Sequence, residues 1–218
     1  LGFARGNNVG FKYAKNELKA NFIILMNNDA VIESTNFFTL VEQDYSNEKF
    51  AVLGPNIRTP SGKEQNPLRL KMLHGFRLKL TIAYLWLDLF ASILFISPIF
   101  SALFKKVPRR MAKQERSATN NVQLHGSFLI FSSEYIEKFD GLDDKTFMYC
   151  EEEFLFARCV FNNLKMRFTP AIRILHNEVE NRKASILQQR KKRLFRVRNC
   201  ISSLKVYQTM LTLSSNRQ

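Results

Sequence analysis

Cysteine is scarce in this chain, which has 218 residues and three thiols. Cys150, Cys159 and Cys200 form no CxxC pair, and an odd number cannot all pair within one chain. A disulfide framework and a cysteine-based zinc site are therefore excluded as organising features. We expect free thiols in a reducing compartment.

Acidic residues are also few, since 19 Asp and Glu stand against 33 Lys and Arg and leave a net charge of +14. Such a charge predicts an anionic partner, whether nucleic acid, lipid headgroups or a phosphorylated substrate. The composition is otherwise that of a globular protein, with 45% hydrophobic and 24% charged residues. An intrinsically disordered chain is therefore excluded.

The sequence opens on Leu1, without an initiating Met and without a signal-peptide pattern in its first residues. The chain begins inside residues 2–10, whose Gly and Asn residues predict a loop. We therefore expect the sequence to lack an N-terminal portion. From Asn7 or Asn8 a helix is predicted to about Leu18, because the apolar residues there fall on one helical face.

The clearest strand signal is the apolar run Phe22–Met26, which leads directly into Asn27, Asn28 and Asp29. A continuous run predicts a strand buried on both faces of a parallel sheet, and the alternation of strands and helices predicts an α/β fold. Ligands bind at the carboxyl ends of such strands, so Asp29 is a candidate for holding a metal-bound phosphate. The alternative is an ordinary Asn/Asp turn after a core strand.

Residues 80–104 form a long hydrophobic run, with Asp88 as its single charge and Pro98 as a helix breaker. Basic residues lie on both sides, so the positive-inside rule selects no orientation for a transmembrane helix. We expect an element that lies in the membrane interface and is held by its basic flanks on anionic lipid. A buried pair of core helices is the alternative.

The second half of the chain predicts a strand over 122–131, and Gly126 within it indicates a close approach of its backbone to another group. Three adjacent glutamates, 151–153, open a predicted helix, where they favour the dipole but exceed what a cap needs. A short strand then ends at His176. A basic helix over about 183–213 follows, for which a solvated face is the alternative.

In this order the motifs resemble those of the family 2 glycosyltransferases, and most closely the bacterial rhamnosyl- and galactofuranosyl-type enzymes. The resemblance is carried by residues 2–10, 24–29, 126–130, 141–144 with 147–152, His176 and Arg198-Asn199. It covers nearly all of the chain except about residues 63–118.

The sequence departs from the family pattern at several places. Glu151-Glu152 stands where the family has Glu-Asp, Asp140 where a Gly is usual, and Phe154 where an acidic residue often lies. The first strands of the family, which carry a carboxylate that binds the nucleobase, have no counterpart here.

The resemblance implies a GT-A fold, a mixed sheet flanked by helices, and inverting transfer of a sugar from a nucleotide-diphosphate donor. It implies that Asp29 and His176 hold Mn²⁺ or Mg²⁺, and that Glu152 is the catalytic base with Glu151 as the second candidate. The donor is assigned to Gly6, Asn7, Asn8, Asn27, Asn28 and Asp29, and the acceptor and sugar pocket to Gly126, Ser127 and Asp143.

Four segments are expected: 1–62 for the nucleotide-sugar half, 63–118 for the interfacial insertion, 119–181 for the acceptor and catalytic half, and 182–218 for the basic helix. The expected partners are a nucleotide-diphospho-sugar, a glycan or lipid-linked acceptor and an anionic membrane surface. We expect a cytoplasmic protein, peripheral on the inner face of the plasma membrane, in cell-envelope glycan synthesis. The alternatives are a non-catalytic membrane-associated scaffold and a nucleic-acid-binding protein, the latter without a recognition motif in its support.

Overall fold

The computed structural model describes residues 1–94, 96, 117–178 and 185–215. Within them, one sheet contains six strands: β1 (Phe22–Met26), β2 (Ala30–Ile32), β3 (Val52–Arg58), β4 (Thr119–Asn120), β5 (Phe128–Ser132) and β6 (Met166–His176). The helices of these residues are α1 (Phe3–Asn16), α2 (Phe37–Asn47), α3 (Gly75–Ile93), α4 (Ser133–Ile136), α5 (Glu151–Phe161) and α6 (Ile186–Ser215).

The sheet is mixed, with the strand order β1-β5-β3-β6-β2 and with β4 paired to β6. β3 and β6 are parallel, whereas β5 runs antiparallel to both β1 and β3. β1, β3 and β6 therefore run in one direction and β5 in the other. The predicted α/β class with a mixed sheet flanked by helices is confirmed.

Alternating side chains of the strands fill a core on each side of the sheet. Phe131 of β5 packs with Phe11 of α1 and Phe156 of α5 on one face. Ile130 of the same strand packs with Phe37 of α2 on the other face. The period of two along β5 is what lets one strand contribute to both cores.

The expectation for β1 was wrong in part. Ile23 and Leu25 are buried, but Met26 is 49% exposed, and the strand pairs antiparallel to β5 instead of lying inside a parallel sheet. In the part of the chain that the structure describes, β1 has this one neighbour and lies at the edge of the sheet. An edge position exposes part of a strand that a hydrophobic run alone predicts to be covered.

The predicted loop over 2–10 was also wrong, because α1 begins at Phe3. Gly2 precedes the helix with a φ of 83°, and a Cβ there would lie 2.3 Å from the Phe147 carbonyl oxygen. Inside the helix, the Asn8 amide bonds the backbone of Leu142 through a donor and an acceptor. These contacts with distant residues override the turn preference of the Asn and Gly residues.

The hydrophobic run and the basic helix pair with each other. α3 packs against α6, with Arg190 near Ser92 at one end and Tyr207 near Leu78 at the other, so the two helices are antiparallel. The hydrophobic run over 80–104 is described by the structure up to residue 94 and at residue 96. The rest of the run lies outside the described residues. Within the described ranges, no helix combines the length and hydropathy that a membrane crossing requires.

Candidate functional site

The polar residues that the sequence marked lie along the edge of the sheet where strands end, which runs across the strands. The group of residues there is here called the sheet-edge site. The carboxyl ends of β1, β3 and β6 share this edge because the three strands run in the same direction, and β5 begins there because it runs the opposite way. Asp29 follows β1, Gln65 lies in the segment after β3, Ser127 precedes β5 and His176 ends β6. This is the position at which open α/β sheets bind ligands.

Asp29 and His176 are brought together by a tight turn. The Ala30 N–H donates to the Asn27 carbonyl, which reverses the chain after β1 and starts β2 with Ala30 opposite His176. The Asn177 N–H then donates to the Asp29 carbonyl at 2.8 Å. As a result the Asp29 Oδ1 atom lies 3.2 Å from His176 Nε2.

A chain of hydrogen bonds fixes the tautomer of His176. The Gln65 Nε2 group donates to the Glu178 carboxylate at 3.1 Å, which leaves Gln65 Oε1 facing His176 Nδ1 at 2.8 Å. Because Oε1 can only accept, the proton of the imidazole lies on Nδ1. In the neutral ring, Nε2 therefore directs a lone pair towards Asp29.

The Asp29–His176 pair thus places two acceptor atoms face to face, and the buried Asp29 Oδ1 has no hydrogen-bond partner. Two acceptors at this distance require a cation or a proton between them. A metal-bound histidine commonly donates its other ring N–H to a carbonyl or carboxylate, as His176 does to Gln65. The carboxylate oxygen is a ligand that suits both Mn²⁺ and Mg²⁺, and the imidazole nitrogen favours Mn²⁺ over the harder Mg²⁺.

The described residues contain no cluster of three or more His, Cys, Asp or Glu side chains able to hold a metal. Asp29 and His176 would therefore be two protein ligands that need water or substrate oxygens to complete the coordination. Mg²⁺ in particular is usually bound by one or two protein carboxylates together with water and substrate phosphates. The small protein ligand set fits an ion that arrives with a diphosphate.

Glu152 is held against the start of β5. Its Oε1 atom accepts a hydrogen bond from the Gly126 N–H at 3.1 Å, and a Cβ at position 126 would lie 2.9 Å from the same oxygen. The expected close approach at Gly126 is therefore to this carboxylate. Burial raises the pKa of Glu152 above its ordinary value.

The neighbouring glutamates differ from Glu152 in their partners. Burial raises the pKa of Glu151 to about 7, and its Oε1 atom is buried without a hydrogen bond. Burial, followed by the adjacent Glu152 charge, raises the pKa of Glu153, whose carboxylate lies 3.7 Å from Arg69 Nη1. The helix start therefore concentrates carboxyl groups that hold protons more strongly than in water.

The segment 125–127 joins the glutamates to the Asp29–His176 pair. Gly126 bonds Glu152, and the Ser127 carbonyl accepts the Asn27 N–H at 2.9 Å. The His125 ring lies next to the His176 ring, with centroids 5.7 Å apart. Through these contacts the structure brings together Asn27, Asp29, Gly126, Ser127, Glu152 and His176.

His125 was missed by the sequence analysis although it directly precedes Gly126. Its Nδ1 atom accepts the Ser127 backbone N–H at 3.2 Å and lies 2.9 Å from the Ser127 hydroxyl. Burial, followed by the neighbouring His176, lowers the pKa of His125 to about 4. His125 is therefore a neutral ring at physiological pH. A single histidine forms no sequence pattern that would indicate a functional site. The one signal for His125 was its position next to Gly126, which was expected to approach another group closely.

The residues predicted to bind the donor lie in different surroundings. Asn28 is exposed at the tip of the turn. Gly6 and Asn7 line a groove of about 430 Å³ between α1 and β1. Asn8 is buried and uses both ends of its amide on Leu142, at 2.9 and 2.7 Å, which is a structural contact.

Asp143 forms a buried ion pair. Its carboxylate lies 3.1 Å from Arg158 Nη2 and 3.3 Å from Lys145 Nζ. Arg158 also donates to the Gly141 carbonyl and to the Tyr135 hydroxyl. These contacts stabilise the segment before α5, and a role of Asp143 in an acceptor pocket stays a prediction.

Comparison of the chain with protein-family models and with curated proteins gave no match.

Proposed function

We propose that this chain carries the catalytic site of an inverting glycosyltransferase of the GT-A type. It would move a sugar from a nucleotide-diphosphate donor to a glycan or lipid-linked acceptor. The observation that carries the proposal is the Asp29–His176 pair, whose facing acceptor atoms are joined through residues 125–127 to Glu152. A diphosphate leaving group and a hydroxyl nucleophile need these two kinds of group on one site.

Asp29 and His176 would hold the cation, with His176 oriented by Gln65. A bound divalent cation supplies positive charge that stabilises the diphosphate as it leaves. Asn27 and Asn28 belong to the same turn and can donate amide hydrogens to phosphate oxygens. The turn therefore serves the leaving-group side of the reaction.

Glu152 would accept the proton of the acceptor hydroxyl at its carboxylate. The acceptor hydroxyl oxygen forms a bond to the anomeric carbon of the donor sugar while the bond from that carbon to the diphosphate breaks. Because the oxygen attacks from the side opposite the diphosphate, the configuration is inverted. Gly126 fixes one carboxylate oxygen by its N–H, which orients the other. The raised pKa of Glu152 brings the base closer to the pH at which it works.

α3 exposes large apolar side chains such as Leu80 and Phe90, and α6 exposes basic ones such as Lys191 and Arg198. This surface supports a place at the inner face of the plasma membrane. The cysteines described in the structure are free thiols, which is consistent with a reducing compartment. A peripheral, cytoplasmic location would put the site next to a lipid-linked acceptor in cell-envelope glycan synthesis.

The test is a panel of UDP-, GDP- and dTDP-sugars offered to the protein with Mn²⁺ or Mg²⁺ and, in parallel, with EDTA. We expect release of one nucleoside diphosphate that depends on the metal. Silence across the panel with a folded protein would contradict the proposal and would favour a non-catalytic scaffold. Inversion is checked by the anomeric configuration of the transferred sugar.

A further inference from the structure

α3 is apolar on two opposite faces, and one of them has no cover in the described structure. Leu78 and Leu89 of the inner face are buried against α6. On the outer face, four large apolar side chains are 73, 53, 54 and 60% exposed, respectively: Phe76, Leu80, Leu87 and Phe90. Their spacing of four, seven and three residues places them in one row, here called the outer stripe. A helix that is hydrophobic all round normally has apolar neighbours on both sides.

Cations border the outer stripe. Arg77 and Lys79 are exposed on either side of its first residues, since each helical residue turns by about 100°. The single acidic residue of α3, Asp88, is buried on the inner face and paired with Arg193. No carboxylate of α3 is therefore exposed beside the stripe.

α6 adds a second line of positive charge and contains no acidic residue. Lys191, Arg198 and Lys205 follow one another at seven-residue spacing and are exposed, so they share one face of the helix. The ammonium of Lys205 lies 5.1 Å from the centre of the Trp86 ring of α3. This contact places the basic row along the flank of α3, next to the exposed indole.

We propose that the outer stripe inserts into the interface of an anionic lipid bilayer while the flanking cations contact its headgroups. An apolar row can insert among the lipids, and its border of Lys and Arg without acids complements the negative charge of the headgroups. The proposal rests on the proposed function in one respect, since it would hold the sheet-edge site beside a lipid-linked acceptor. It assigns the acceptor to the membrane surface and α3 to an orientation parallel to it.

The experiment is flotation of the intact protein with phosphatidylcholine vesicles, prepared with and without phosphatidylglycerol. We expect binding to the anionic vesicles that weakens as salt is added. The double substitution Leu80→Gln/Leu87→Gln should weaken binding about tenfold or more, because two apolar side chains lose their insertion. Arg77→Gln and Lys79→Gln should each weaken it about fivefold.

Phe38→Gln is the matched control, because Phe38 is 72% exposed on α2, outside the stripe. It should float like the unchanged protein. Equal flotation of the double variant would overturn the proposal. So would a dimer of the unchanged protein that the double variant converts to a monomer, since the stripe would then cover itself. Tighter, salt-sensitive binding to RNA than to anionic vesicles would also overturn it.

Failure of this proposal can be told from failure of the proposed function. Flotation requires no turnover, so Glu152→Gln should float unchanged. Release of nucleoside diphosphate from a soluble donor requires no membrane, so the Leu80→Gln/Leu87→Gln protein should keep it. Flotation that depends on the outer stripe, in a protein without any transferase activity, would support the membrane-binding proposal and contradict the proposed enzymatic function.

Discussion

The sheet edge and the α3–α6 pair use charge in opposite ways. At the sheet edge, carboxylates and imidazoles are partly or fully buried, and their orientation is set by specific hydrogen bonds such as Gly126 to Glu152. On the α3–α6 surface, exposed cations surround apolar side chains without acidic neighbours. The first arrangement positions single atoms, whereas the second presents a diffuse field. Chemistry needs the former, and attachment to a fluid surface needs only the latter.

The largest effect should come from Glu152→Gln, which keeps the shape of the side chain but removes the carboxylate proposed as the base. We expect turnover to fall by about 10²–10⁴, the usual contribution of general base catalysis. Binding of Mn²⁺ and flotation with anionic vesicles should be unchanged, because neither uses this carboxylate. Single-turnover rates with the donor found in the panel measure the effect. A loss below tenfold would move the base to Glu151, and Glu151→Gln is the matched comparison.

The next effect tests the orientation of His176 through a residue that the sequence did not mark. Gln65→Leu removes the acceptor of the Nδ1 proton, so Nε2 no longer keeps its lone pair towards Asp29. We expect Mn²⁺ affinity to fall about 10–100-fold, as for other partners of metal-bound histidines. Calorimetry measures the affinity, and the ¹⁵N resonances of His176 report the tautomer directly. Unchanged ¹⁵N resonances would contradict the role of Gln65 even if the affinity fell.

His125 and Gln65 are residues of the candidate site that the sequence alone did not predict. Asp29 could be placed at the ligand-binding end of the sheet because it follows an apolar strand. The roles of Glu152 and His176 were implied by the resemblance to the family 2 glycosyltransferases and stay predictions. Gln65 and His125 lie in irregular segments without a periodic pattern. They reach the site because β3 ends, and β5 begins, at the same edge. That juxtaposition depends on sheet order, which single-sequence patterns do not contain.

The first ten residues show a different limit. Gly and Asn there predict a loop, and the structure has a helix from Phe3. Asn8 bonds Leu142, which is 134 positions away in sequence. Local preference is outweighed when one amide satisfies both the N–H and the C=O of a distant residue. The same holds for β1, whose run of apolar residues does not reveal that it lies at a sheet edge.

A smaller effect is expected from Gly126→Ala. The new Cβ would lie 2.9 Å from Glu152 Oε1, which is the end of a flexible side chain and can turn away. We therefore expect turnover to fall about tenfold through a displaced base. The free energy of unfolding should change by less than about 1 kcal/mol, since the atoms nearest the new Cβ belong to a flexible side chain and not to the backbone. Denaturant unfolding and kcat, measured together, separate the two. A large loss of stability with unchanged kcat would contradict a positioning role of Gly126.

The smallest effect concerns stability at the sheet-edge site and has no counterpart on the α3–α6 surface. The pKa of Glu151 is raised by burial from 4.5 to about 7, so the folded state binds its proton more tightly than the unfolded state does. Stability is therefore highest below about pH 4.5 for this group, and it is lost as the pH rises through the folded pKa near 7. Glu151→Gln should raise the free energy of unfolding by about 1 kcal/mol at pH 8, after allowance for solvent screening, and leave it nearly unchanged at pH 4. Lys191→Gln, on the exposed row of α6, should show no such dependence over the same range. Urea unfolding at the two pH values measures both, and an equal gain at pH 4 and pH 8 would show that the buried charge of Glu151 is not the cause.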